Sequence, residues 1–148
     1  MFRIEIQPLS MADADAVVLL ADQLGYDLSV RNVRDWLSVS DDGRVALAAR
    51  IDGDVVGWIQ AHDLDLLQYP RVLEIGGLVV DEQARGRGVG KLLVDAVAEW
   101  GRERDHTEIM VRSNVIRDGA HAFYEGLGFT RAKTSYTFSI EIEEESPQ

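Results

Sequence analysis

Hydrophobic positions recur along this chain with two different periods, and the switches between them outline its elements. From Arg3 to Ile6 they alternate as in a strand. Behind Ser10, a residue able to cap a helix, Val17, Leu20 and Leu24 recur at helical spacing within about Ala12 to Leu24. Ser29 can cap a second, short helix carrying Val33, Trp36 and Leu37. Strands are predicted over Val45–Ile51 and Val55–Leu66, joined by the hairpin turn Asp52-Gly53-Asp54. Tyr69-Pro70 breaks the chain before a third strand, Val72–Val80. A helix from Gly90 places Leu92, Leu93, Ala96, Val97 and Trp100 on one face. Glu108–Val111 reads as a short strand, and Gly119–Leu127 as a helix with Gly128 as its C-cap. From Phe129 onward Tyr136, Phe138, Ile140 and Ile142 alternate through the last strands. The order β-α-α-β-β-β-α-β-α-β-β predicts an α+β fold on a mixed sheet.

Composition narrows the class. No repeat or interdomain linker interrupts the 148 residues, so one domain over 1–148 is expected, with residues 143–148 as a frayed tail. The absence of cysteine removes disulfides, thiolate metal sites and cysteine nucleophiles, and the three scattered histidines suggest no metal site. No apolar run approaches the ~20 residues a membrane span needs. Met1 to Ile6 alternates instead of carrying the apolar core of a signal peptide. A cytoplasmic protein without membrane contact is expected. The net charge of −11 disfavours nucleic acid and suits a cationic partner such as an amine.

Against that acidic background one basic island stands out. The predicted strand ending Leu78-Val79-Val80 runs into Arg85-Gly86-Arg87-Gly88-Val89-Gly90-Lys91 and then a helix. Glycines at a helix start leave backbone N–H groups bare, and the helix dipole adds positive potential, so an anion such as a phosphate is the expected ligand. Two familiar phosphate loops do not fit. A Walker-type loop needs glycine where Arg85 stands and Ser or Thr where Leu92 stands. The dinucleotide pattern G-x-G-x-x-G needs a third glycine where Lys91 or Leu93 stands. What remains is Arg-x-x-Gly-x-Gly over Arg85, Gly88 and Gly90. Downstream lies Asn-x-x-Arg-x-x-Ala-His-x-Phe-Tyr-x-x-x-Gly-Phe, from Asn114 and Arg117 through Tyr124 to Phe129.

Together, in this order, the two motifs resemble the GNAT superfamily of acyl-CoA-dependent N-acyltransferases. The resemblance covers nearly the whole chain. It implies a mostly antiparallel central sheet with helices on both faces, and acetyl-CoA as co-substrate. It implies that the amides from Arg85 to Lys91 hold the pyrophosphate and that the strand edge at Leu78, Val79 and Val80 pairs with the pantetheine arm. Asn114 would contact the pantetheine, Arg117 could reach the adenine–phosphate end, and Tyr124 would lie next to the sulfur. The Gln23-Leu24-Gly25-Tyr26 turn and the Ala-His-x-Phe-Tyr pattern are similar to the aminoglycoside 6′-N-acetyltransferase and aminoalkylphosphonate acetyltransferase neighbourhood.

The implied activity is acetyl transfer to a primary amine of a small molecule or peptide, in a ternary complex. A protonated amine must lose a proton before it attacks. Glu74, on the strand before the loop, is the candidate base, with a surface or ion-paired glutamate as the bland alternative. Tyr124 is the candidate acid for the departing thiolate. His62 could assist, although a solvated strand end fits it better; Trp36 and Tyr26 could line the acceptor pocket. A protein N-acetyltransferase and a CoA-binding regulatory module without catalysis remain as alternatives. Exposed final strands make a homodimer plausible.

Overall fold

The computed structural model describes residues 3–68, 71–113 and 118–143. Five strands, β1 (Ile4–Pro8), β2 (Arg44–Ile51), β3 (Asp54–Leu64), β4 (Val72–Val80) and β5 (Ile109–Val111), form one sheet in the order β1-β2-β3-β4-β5. The first three pairings are antiparallel; β4 and β5 run parallel. The helices are α1 (Ala14–Asp22), α2 (Val30–Ser38), α3 (Val89–Glu103) and α4 (Asp118–Gly126). This is the α+β class the hydrophobic periods predict. The chain divides into two compact units, Met1–Arg112 and Ser113–Gln148.

Local chemistry explains most boundaries in the first unit. Ser29 Oγ accepts from Asn32 N at 3.0 Å, which starts α2 where the cap predicts. The helix expected to reach Leu24 ends at Asp22, because the following amides turn back onto the Leu20, Ala21 and Asp22 carbonyls. Before α1, Asp13 accepts from Ser10 N at 2.9 Å and from Arg50 Nη2 at 2.6 Å, tying the helix start to β2.

The core lies between the sheet and α1 and α3, where Ile59, Leu73, Val79, Val89, Leu93 and Val97 are fully buried. A Cβ on Gly57 would lie 3.1 Å from the Val79 carbonyl and from Val89 Cγ1. Its absence lets the first turn of α3 settle on β3. Odd-numbered positions of β3 therefore face α3, and by strand alternation Trp58, Gln60 and His62 project from the opposite face.

Two carboxylates, the buried Asp13 and the half-buried Asp63, carry a pH signature. Burial pushes Asp63 up, but hydrogen bonds from Arg104 (2.7 Å) and His106 outweigh it and hold the group below its ordinary 3.8. Asp13 is lowered likewise, burial being outweighed by Arg50 and Ser10. A lowered folded value means stability that is complete above the ordinary value and lost as pH falls through the folded one. Asp63→Asn is thus expected to cost on the order of 2 kcal/mol at pH 7 in urea unfolding. The deficit should shrink as the wild-type carboxyl protonates below 3.8. A deficit constant from pH 7 to pH 3 would refute this account.

In the second unit, α4 forms as expected. No strand is assigned over residues 129–143, however, and Tyr136, Phe138, Ile140 and Ile142 are 87–92% exposed. The alternation is real, but among the described residues this stretch has no ladder partner, and a strand needs one.

Candidate active site

The glycine loop sits where the sequence places it. After β4 a single 3-10 turn, Glu82–Ala84, leads to Arg85, and α3 begins at Val89 with Gly88 as its N-cap. Gly86 and Gly88 adopt φ +79° and +82°, a left-handed backbone that side-chain-bearing residues avoid. A Cβ at either position would meet nothing within 4 Å. No side chain caps the helix, and the first intrahelical bond runs from Leu92 N to the Gly88 carbonyl. The amides of Val89, Gly90 and Lys91 therefore have no carbonyl partner within the helix. Open space, amides without helical partners and exposed Arg85 and Arg87 thus lie together at the start of α3, where the helix dipole is positive. Lys91 pairs with Asp95 at 2.7 Å. Gln23, just past α1, clamps the loop's entry: its Oε1 accepts from Glu82 N at 3.0 Å, and its Nε2 donates to Asp81 at 3.4 Å.

Beside the loop the sheet comes apart. β5 accompanies β4 only from Leu73 to Ile75. From Gly76 to Val80, β4 has no strand on that side among the described residues, so its outward N–H and C=O groups are available. Leu78, Val79 and Val80 lie in this stretch. Val79 turns its side chain into the core, which leaves only its backbone to offer.

At the head of the same stretch stands a chain of polar contacts. Gly76 is the extra residue of a bulge, since Gln60 pairs with Gly77 while Ala61 pairs with Ile75. A Cβ on Gly76 would collide with the Gln60 amide, and one on Gly77 would press within 3.0 Å of the Trp58 ring. Bare backbone here lets the β3 side chains lie over β4. Gln60 Nε2 is 3.0 Å from His62 Nδ1, and His62 Nε2 is 2.9 Å from Glu74 Oε1. With the Gln60 amide donating to Nδ1, the His62 proton sits on Nε2 and points at Glu74. Arg112 Nε lies 3.1 Å from Glu74 Oε2 without hydrogen-bond alignment, and that oxygen is sealed from solvent. The Glu74 side chain is 12% exposed and that of His62 30%, so the outward end of the pair is the histidine.

In the second unit, Tyr124 packs edge-on between Phe123 (5.2 Å) and Phe129 (5.5 Å). Asn114 and Arg117 lie outside the described residues. Among the described residues no group of three His, Cys, Asp or Glu side chains could hold a metal ion, and no helix is long and apolar enough to cross a membrane.

Gln60, Arg112 and Gln23 were not legible as site residues. Their roles depend on strand register and on contacts between residues 12 to 59 positions apart. His62, expected to be a solvated strand end, is instead bonded to Glu74.

The sequence model described as the Acetyltransferase (GNAT) family matches residues 15–129. The chain belongs to this family. Among curated GNAT relatives, N-acetyltransferase 8 of Rattus norvegicus is 28% identical over 99 residues, covering 66% of this chain and 45% of that protein. The chain thus spans less than half the length of that relative. Among solved structures, aminoglycoside 6′-N-acetyltransferase AAC(6′)-Ih from Acinetobacter baumannii superposes with a TM-score of 0.81 at 21% identity. That match covers 95% of this chain and 100% of the other. Aminoglycoside N-acetyltransferase AAC(6′)-Iy in complex with CoA reaches 0.85 at 19% identity, covering 96% and 97%. These likenesses give the GNAT fold; the chemistry must come from the site.

Proposed function

We propose that this GNAT protein transfers the acetyl group of acetyl-CoA to a primary amine of a small molecule or peptide. One observation carries the reading: the bare amides of the glycine loop and the Glu74–His62 pair flank the same open stretch of β4. The loop from Arg85 to Lys91 would seat the pyrophosphate, the uncovered backbone at Leu78, Val79 and Val80 would pair with the pantetheine, and Asn114 and Arg117 would extend the cofactor contacts. Acetyl-CoA supplies an acyl group already activated as a thioester. Catalysis then asks little beyond position and protons.

The base function falls on the Glu74–His62 pair. Glu74 supplies the negative charge, and His62 is its exposed end. An incoming ammonium would displace the Gln60 amide and give its proton to His62 Nδ1, while Glu74 stabilises the resulting imidazolium. The amine nitrogen would then bond to the acyl carbon and the carbon–sulfur bond would break; Tyr124 would give its proton to the departing thiolate, and its oxygen would regain a proton from the new amide nitrogen, which sheds its second one. A free N–H near Leu78 or Val79 would polarise the carbonyl. The acidic surface favours a cationic acceptor.

The test is thiol release from acetyl-CoA over a panel of aminoglycosides, polyamines and peptide amines. Turnover with at least one cationic amine is expected, reduced at least about tenfold in Tyr124→Phe with cofactor affinity unchanged. Acetyl-CoA binding without turnover on any amine would instead favour a regulatory module. Full turnover in Tyr124→Phe would remove its role as acid.

A further inference from the structure

We propose that the acceptor amine also carries a carboxylate and that Arg44 is the residue that reads it, an inference that rests on the acetyl-transfer reading of the Glu74–His62 pair. Arg44 is the register partner of His62 across β2 and β3, and His62 is that of Glu74 across β3 and β4. Residues directly opposite on neighbouring antiparallel strands share a face. The three side chains therefore stand in one row on the face turned away from α3, on strands about 4.8 Å apart. The Arg44 guanidinium lies over the Trp36 ring, 3.8 Å from its centroid. Its Nη2 donates to the Trp36 carbonyl at 2.6 Å and to the Val39 carbonyl at 3.1 Å, at the end of α2. Stacking and hydrogen bonds thus fix this cation one strand away from the base.

What the cation lacks is a counter-charge. Among the described residues three arginines are half-buried, Arg44, Arg50 and Arg104. Arg50 pairs with Asp13 at 2.6 Å and Arg104 with Asp63 at 2.7 Å. Arg44 meets two carbonyls and a ring but, among the described residues, no carboxylate, although 26 acidic residues accompany 15 basic ones in the chain. Asp41, three positions earlier, spends its carboxylate on Gly43 N at 2.7 Å. Helix-end carbonyls carry only partial charge, so capping α2 accounts for Nη2 and leaves the full charge uncompensated. A charge withdrawn from water calls for an opposite one. Nε and Nη1 keep their N–H donors without a protein acceptor among the described residues, and neither is sealed from solvent. An acceptor with an ammonium and a carboxylate a few bonds apart satisfies both ends of the row. Its ammonium goes to His62 and its carboxylate to Arg44, a pairing to which a guanidinium is well suited. A purely cationic acceptor would instead bring like charge against Arg44.

The test sets a panel of α- and β-amino acids against their own carboxamides, which keep the amine and remove the negative charge. Binding to the CoA-loaded chain is read by calorimetry, and kcat/KM by thiol release from acetyl-CoA. The preferred acid is expected to exceed its amide by about tenfold or more in both, the scale of a hydrogen bond to a charged group. That order runs against basicity, since the amide's amine is the easier one to deprotonate. Arg44→Gln should erase the preference while leaving the amide's own values unchanged. Arg44→Lys, which keeps the charge, should retain part of it. If Arg44 only caps α2, Arg44→Gln weakens acid and amide alike, and the proposal falls. Equal affinity of the wild-type chain for acid and amide would overturn it without any variant, as would binding of neither across the panel. Turnover on amines with no acid–amide difference would sink this inference and leave acetyl transfer standing. Acid-selective binding that depends on Arg44, without turnover on any amine, would keep the carboxylate site and remove acetyl transfer.

Discussion

Gly88→Trp should abolish acetyl-CoA binding in calorimetry while leaving the chain folded. The backbone at Gly88 is left-handed, and a side chain there costs about 1–2 kcal/mol. A typical domain can absorb that loss. Nothing in the protein opposes the new ring, because a Cβ at this position meets no atom within 4 Å. The indole would therefore occupy the space that a phosphate needs in order to reach the amides of Val89, Gly90 and Lys91. Each charge-assisted hydrogen bond is worth about 1.5–3 kcal/mol, so losing two weakens binding at least roughly a hundredfold. Gly88→Asn separates strain from occlusion. Asparagine tolerates the backbone conformation yet still enters the seat, and should weaken binding with a smaller change in melting temperature. Near-normal affinity in Gly88→Trp would remove the pyrophosphate from this loop.

What the sequence disclosed about this site follows the range of the signal. The glycine loop was readable because its chemistry is local: strand, glycines and helix start are consecutive. The Ser29 cap and the Asp52-Gly53-Asp54 hairpin belong to the same class, and both stand where their residues predict. Glu74 could be singled out by its strand, but not its partner. Pairing it with His62 requires the register between β3 and β4, and the connection between them is too long to dictate one. The bulge at Gly76 then shifts the register by a residue, changing which side chains meet. The last segment marks the opposite limit. Alternation at Tyr136, Phe138, Ile140 and Ile142 announces one apolar face, and says nothing of where a partner strand comes from. Asn114 and Arg117, the resemblance's other cofactor residues, lie outside the described residues.

Breaking the Glu74–His62 pair should cost turnover and spare cofactor affinity. In Glu74→Gln, the His62 Nε2–H keeps a neutral acceptor but loses the charge that would hold an imidazolium. In His62→Asn, the exposed end of the pair is gone. Either variant should lower kcat roughly a hundredfold, the usual scale for losing a general base, with the acetyl-CoA dissociation constant unchanged. A second readout separates this role from a structural one. An alkyl amine loses its own proton as pH approaches about 10, so the deficit should shrink toward that pH if the missing function is deprotonation. Gln60 acts one step further back, by fixing which His62 nitrogen carries the proton; Gln60→Leu should cost less, about tenfold. Gly76→Ala should mimic it, because the added methyl would displace the Gln60 amide, the far end of a flexible side chain. Wild-type turnover in Glu74→Gln and His62→Asn would show that the amine sheds its proton without this pair. Equal losses at every pH would reduce it to a structural contact between β3 and β4.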